Sequence, residues 1–300
     1  MKNLKGIIYA LISSGTFGLV PLFSLPLILP GLRPEGVAAI GIPTILFYRF
    51  LFSSITMGGV CLYKKTSLKI NTKELVVVFF LALLYAATAK FIVDSYEYIA
   101  SGLATTVHFL YPIFVSIVMI LFYKEKKSTA LIIASILSLI GVALMCWHGE
   151  PSPALFKGLT LAALTIFTYG LYIVGLNKSR VSEMNFDSLT FYVLIMGCLI
   201  FLFYALLTTG LQMVTLRSDW INLILLGFFA TFISDLCLVL AVKHAGSTIT
   251  SILGSMEPVV AVLVGTLFFA EHFDWVSAIG LLFVLGAVTL VIIASKRQEH

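Results

Sequence analysis

The sequence predicts an all-α polytopic membrane protein, with ten transmembrane helices arranged as two inverted five-helix repeats. Three observations predict it: the composition, the lengths of the apolar runs, and a match between the two halves of the chain. Apolar residues make up 60% of the 300 positions and charged residues 11%, and the mean hydropathy is +1.08. A soluble domain carries roughly 25% charged residues, so this chain cannot cover a water-facing surface. With four cysteines and little low-complexity sequence, it is neither a disulfide scaffold nor a disordered chain.

About 20 apolar residues are needed to cross a hydrocarbon core of roughly 30 Å. Six runs are long enough and free of Asp, Glu, Lys and Arg: 6–32, 98–123, 128–149, 158–177, 188–216 and 275–295. Four more carry a single charge: 37–63 (Arg49), 75–93 (Lys90), 220–242 (Asp235) and 244–270 (Glu257). Continuous apolarity over helical lengths, without period-two alternation, excludes a β-barrel. Lys2 and Lys5 before the first run mimic a signal peptide, but Pro21, Pro26 and Pro30 follow where a small-residue cleavage site would stand.

With the N-terminus in the cytoplasm and ten crossings, fourteen Lys and Arg fall on the cytoplasmic side. Three (Arg33, Lys157, Arg217) fall outside, and Arg49 and Lys90 lie within the membrane. This positive-inside bias predicts that both termini are cytoplasmic and the protein sits in the cell (inner or plasma) membrane. It also accounts for the net charge of +5 without nucleic acid as a partner. The cysteines (Cys61, Cys146, Cys198, Cys237) sit in or at the ends of helices at unrelated depths, so free thiols are expected.

Residues 101–112 lie over 247–258, and Glu125 lies over Glu271 at the same offset. Lys5, Gly6, Ala10, Thr16 and Gly18 lie over Lys157, Gly158, Ala162, Thr168 and Gly170, while Phe47-Tyr48 pairs with Phe191-Tyr192. The chain therefore divides into a first repeat at 1–147, an outer linker at 148–153 and a second repeat at 154–300. An odd number of helices per repeat forces the halves into opposite orientations, the plan of carriers that bind substrate near the midplane between repeats.

Tyr111-Pro112 followed by Tyr123-Lys124-Glu125, and Met256-Glu257-Pro258 followed by Gly265 and Ala270-Glu271, resemble the EamA-type transporters of the drug/metabolite transporter superfamily. The resemblance spans essentially the whole chain. It implies an inner-membrane carrier, often an exporter of amino acids or other metabolites, with spans one to four and six to nine around a central cavity. Where this family often has Trp-Gly in the first span, this chain has Ser14-Gly15, and its third span is unusually polar with Lys90, Asp94 and Glu97.

Glu257 is the sharpest candidate for substrate binding or coupling. Thirteen uncharged residues separate it from Lys243 and thirteen from Glu271, which puts it near the midplane. A carboxyl there must be protonated, paired or in a wet cavity. Pro258 leaves the carbonyl of Gly254 without its helical donor, and Pro112 does the same for His108, so both prolines are candidate hinges. Asp235 and Lys90 occupy nearly equivalent positions in the two repeats and are expected to pair when the site is empty. The alternative is Lys90 with Asp94, at i, i+4. His108 is a candidate proton partner for Glu257 or a helix-to-helix hydrogen bonder. Tyr111 is the repeat equivalent of Glu257. Arg49 either holds a substrate carboxylate or reaches the outer interface. Phe17, Tyr85, Tyr169 and Tyr172 are candidates for lining the pocket, and Ala261, Gly265, Gly15, Gly18 and Gly170 for close helix approach.

The sequence thus predicts a secondary carrier of a small polar metabolite, exporting amino acids or related compounds by alternating access with proton coupling. An importer or exchanger of sugars or nucleotide precursors is the alternative within the class. An intramembrane enzyme would need a nucleophile with a base, or metal ligands, at helical spacing, and none is present; a channel suits the charge-bearing duplicated spans less well. Expected partners are the substrate, protons, membrane lipid and a second copy of the chain, with no cofactor or metal.

Overall fold

A computed structural model describes residues 2–124, 129–147 and 152–298. Among them there is no strand. The helices are α1 (Lys2–Phe17), α2 (Val20–Ile28), α3 (Ile42–Tyr63), α4 (Thr72–Ser95), α5 (Ser101–His108), α6 (Tyr111–Tyr123), α7 (Thr129–Met145), α8 (Pro153–Lys178), α9 (Phe186–Leu207), α10 (Arg217–Gly227), α11 (Ser234–Gly254), α12 (Met256–Phe269) and α13 (Trp275–Gln298). A π-helical turn, Phe228–Ile233, joins α10 to α11. Seven described helical runs are long and apolar enough to cross a membrane, and 132–145, 256–269 and 275–290 are shorter apolar helices.

Local chemistry sets several boundaries. Asn71 and Glu74 form a capping box at the start of α4, and the Ser152 hydroxyl caps α8, so both helices begin with orphan N–H groups satisfied. The first span, expected as one helix, is two. Pro21 cannot donate to the carbonyl of Phe17, and the chain turns at Gly18 and Leu19 between α1 and α2. The run 188–216 is helical only to Leu207, because Gly210, with φ +70°, turns the chain away. The segment beyond crosses to α3, where Gln212 accepts the N–H of Gly41 at 2.5 Å and donates its own N–H to the Thr44 hydroxyl at 3.2 Å.

The separation expected between 242 and 244 is also different. Helical structure continues through it to Gly254 and is interrupted at Ser255, because Pro258 has no N–H for the carbonyl of Gly254. A straight helix from Ser234 would end about 30 Å away. Yet Ser234 bonds to Ser13 and the carbonyl of Glu257 lies at Gly18, only five residues further along. The run therefore turns back on itself before reaching α12. In the first half, α5 and α6 are interrupted at Phe109 and Leu110, just ahead of Pro112.

Five helices of the first half pack antiparallel against helices of the second, whereas α6 runs parallel to α8, from Tyr111 at Tyr169 to Tyr123 at Lys178. α1 lies along α11, with Ser13 opposite Ser234 and Tyr9 opposite His244. α3 lies along α9, with Lys64 on Asp187 at one end and Phe50 on Gly197 midway. α4 follows α8, from Leu81 at Gly175 to Ile99 at Gly158. α5 follows α12, with Gly102 on Val262. α7 crosses α13 at Gly141 and Gly280. The repeat in the sequence reappears in these contacts: Gly18 lies against Val260, and its counterpart Gly170 lies against Phe114, the counterpart of Val260. Of the small residues singled out from sequence, Gly15 faces open space. Glu125 and most of the linker 148–153 lie outside the described residues.

Gly141 and Gly280 approach so closely that a Cβ on the first would sit 2.6 Å from the Gly280 carbonyl, and one on the second 2.5 Å from the Gly141 carbonyl. Gly141→Val should force α7 from α13 and cost about 1–3 kcal/mol, read as a lower melting temperature of the detergent-purified protein. Gly286→Ala, whose new Cβ meets nothing within 4 Å, should leave that temperature unchanged.

Candidate functional site

The polar residues of the apolar runs converge between the two halves. Arg49 sits two turns into α3, a helix that starts at Ile42 with Pro43 in its first turn. Its residue is 2% exposed, which removes the reading that it reaches the outer interface. Its Nε donates to the Thr231 hydroxyl at 2.8 Å, and that hydroxyl donates to the carbonyl of Leu226 at 3.4 Å. Thr231 lies in the π-helical turn, where the wider coil brings its side chain onto α3. α3 and this turn approach closely because Gly227 packs on the carbonyl of Arg49. The Ser53 hydroxyl lies 2.7 Å from the carbonyl of Arg49 and 2.8 Å from that of Gly227, so its one hydrogen can go to either. One guanidinium nitrogen of Arg49, Nη1, is buried with no hydrogen-bond partner.

Asp235 follows the π-helical turn by two residues. It lies within electrostatic range of Arg49 and of Tyr85, Tyr169 and Tyr172. Lys90 does not pair with it. Lys90 forms its ion pair with Asp94, one helical turn along α4, and its ammonium lies 5.7 Å from the centre of the Tyr204 ring on α9. The i, i+4 geometry satisfies the lysine within its own helix, while Asp235 feels the Arg49 charge from a distance without forming an ion pair with it. Glu97 stands exposed beyond the end of α4, where the protein beneath it and then the Asp94 charge raise its carboxyl above the ordinary range.

Glu257 opens α12 at the helix interruption. Its Oε1 is buried without a partner, and its charge is within range of Tyr85, Tyr96 and Tyr111. His108 ends α5, the matching interrupted helix. Its Nδ1 is 2.9 Å from the Thr165 hydroxyl on α8, which donates its only hydrogen to the carbonyl of Ala162 at 2.5 Å. With the Thr165 hydrogen on that carbonyl, the imidazole donates from Nδ1. This is the helix-to-helix bond anticipated for it.

Aromatic rings pack around these groups. Tyr169 meets Tyr111 edge-on at 4.6 Å and His108 at 5.1 Å, and Tyr172 stacks on Tyr85 at 5.0 Å. Phe17 stacks over His108 at 6.4 Å. The Tyr85 hydroxyl is buried and unpartnered. Three helices thus contribute one buried polar atom each with no partner: Arg49 Nη1, Tyr85 OH and Glu257 Oε1. Leaving such a group unmet costs about 1–3 kcal/mol, and the Tyr85 hydroxyl lies within electrostatic range of both Arg49 and Glu257.

Sequence reasoning singled out Arg49, Asp235, Glu257, His108 and the tyrosines, because polar groups in apolar runs stand out. It missed Thr231 and Thr165, ordinary hydroxyls among apolar neighbours. It also missed the ion pair between Arg33 and Asp219, 2.7 Å apart with side chains 2% and 5% exposed, because each lies outside the apolar runs.

A profile of the EamA-like transporter family matches residues 4–147 and again residues 156–293. An uncharacterized transporter of Archaeoglobus fulgidus is 28% identical over 199 residues, covering 65% of this chain and 69% of that protein. A solved crystal structure superposes with a TM-score of 0.66 over 100% of this chain and 99% of its own, at 14% identity; the likeness is one of fold.

Replacing Thr231 by Val keeps the volume but removes the acceptor of the Arg49 Nε–H. With that donor stranded in the core, the protein should lose about 1–3 kcal/mol, seen as a lower melting temperature. Thr231→Ser, which restores the hydroxyl, should recover most of it.

Proposed function

Since the chain belongs to the EamA-like transporter family, we propose that it is a secondary carrier that exports a small polar metabolite, an amino acid or related compound, by alternating access coupled to proton entry. The observation that carries this reading is the set of unpartnered buried groups on α3, α4 and α12. One fixed cation and two carboxyl groups, Asp235 and Glu257, suit a molecule bearing both a carboxylate and an ammonium. The carboxylate meets Arg49 Nη1, making a charge-assisted bond. The ammonium meets Glu257 among the tyrosine faces, which attract cations.

Ten crossings in two inverted repeats, with both termini in the cytoplasm of a cell-membrane protein, are the topology of this proposal. The antiparallel pairing of corresponding spans, α3 with α9, α5 with α12 and α7 with α13, supports the inversion, and the Lys and Arg distribution supports the orientation. In the transport cycle Glu257 gives up its proton to receive the substrate ammonium and takes a proton again once the substrate leaves. Tyr111 faces it from the other repeat, and His108 holds α5 to α8. Pro112 and Pro258 are the hinges about which the interrupted helices move. Lys90 and Asp94 form an intrahelical pair beside the pathway, available to a passing carboxylate.

Counterflow of amino acids, sugars and nucleobases into liposomes, with and without a pH gradient, tests the reading. Amino acids should exchange, and an inward proton gradient should drive export. Glu257→Gln should abolish the proton-driven component and leave exchange detectable. Undiminished pH-driven flux in that variant would remove Glu257 from the coupling role.

A further inference from the structure

At the end of the bundle away from the chain termini, α12 stops at Phe269 and its C-cap Ala270 takes a left-handed conformation, φ +53°. That reversal folds Glu271 back along α12, with its N–H donating to the carbonyl of Gly265 at 3.0 Å. The Glu271 carboxylate lies in the space that Gly265 leaves open by having no Cβ. From there it accepts the N–H of Ser101 at 2.8 Å and that of Gly102 at 3.4 Å. These are the first two N–H groups of α5, which has no side-chain cap of its own. A carboxylate here satisfies orphan donors and meets the positive end of the helix.

The two partners belong to opposite repeats, 170 residues apart in sequence. They are also the two interrupted helices that carry the central site: α5 ends in His108 and α12 begins at Glu257. Beneath the cap the helices touch, Gly102 against Val262, and Leu103, 8% exposed, lines the small cavity beside Glu271. Any motion that parts α5 from α12 at this end must first break the cap.

We propose that Glu271 is a positioning residue for transport: its carboxylate latches α5 of one repeat to α12 of the other and holds this end of the central site closed. Glu271 touches no substrate. It acts by fixing the N-terminus of α5, and opening at this end requires its release. The functional role rests on the carrier reading; the latch itself does not.

The test is the reaction of a cysteine at position 103 with a maleimide, in the full-length protein in detergent and without substrate. The unmodified chain, with its own four cysteines, supplies the background. Leu103→Cys alone should label slowly. Adding Glu271→Ala should raise the rate roughly tenfold, the size expected for losing a hydrogen bond to a charged group. Glu271→Gln keeps one carbonyl acceptor and loses the charge, so it should give a smaller rise at full size and unchanged packing volume. Should the alanine variant fail to purify as a folded protein, the glutamine variant decides alone. A labelling rate that stays at the Leu103→Cys value when Glu271→Gln is added would overturn the latch. Wild-type protein that shows no counterflow would instead sink the carrier reading and leave the labelling result standing.

Discussion

The antiparallel contact between helices of opposite repeats is the constraint on which the rest of this structure depends. In hydrocarbon there is no hydrophobic drive between helices, so close packing and interhelical hydrogen bonds must hold them. The crossing of α7 and α13 at Gly141 and Gly280 and the reciprocal bonds between Ser13 and Ser234 are two forms of that solution. Because the contacts pair one repeat with the other, the inner faces of α3, α4, α5, α8, α11 and α12 meet around a common centre. A polar site there draws on both halves at once.

The polar groups divide by whether their partners are present. Arg33 and Asp219 neutralise one another where α2 approaches α10, and Lys90 and Asp94 do so along one helix. Such pairs stabilise little beyond the cost of desolvating them, but losing one member would strand the other. Arg49 and Glu257 form no ion pair among the described residues, and each keeps a buried atom without a hydrogen bond, as Arg33 does at Nε despite its pair. The helix interruptions at residues 109–110 and at Ser255 lie at the same level of the chain as His108 and Glu257. Non-helical backbone at membrane depth is tolerated where it lines a cavity or is covered by protein, and the interruption at Ser255 stands beside the unmet Glu257 carboxyl.

Much of this was legible in the sequence, for an identifiable reason. Charge is scarce in apolar runs, so Arg49, Asp235 and Glu257 announce themselves, and proline at 112 and 258 marks the interruptions because a missing N–H is a local defect. Partner choice was not legible in the same way. Lys90 pairs with Asp94 along its own helix, and Arg49 bonds to Thr231 in the π-helical turn at Phe228–Ile233, so Asp235 forms no ion pair with Lys90. That turn has no signature in Phe-Phe-Ala-Thr-Phe-Ile. Glu271 was visible as a repeated glutamate at a helix end, but a cap on α5 requires the fold-back at Ala270 and the missing Cβ of Gly265.

The sequence by itself determined the helical class, the membrane setting, the duplication, and which few polar residues sit in apolar surroundings. Length, apolarity and charge are properties of the chain read in one dimension, and the bilayer leaves few ways to satisfy them. Only the tertiary structure decided which of those residues meet. Ser13 with Ser234, Arg49 with Thr231 and Ser101 with Glu271 lie 221, 182 and 170 residues apart. Their approach is set by where small residues let helices of opposite repeats come together, and no local pattern carries that information.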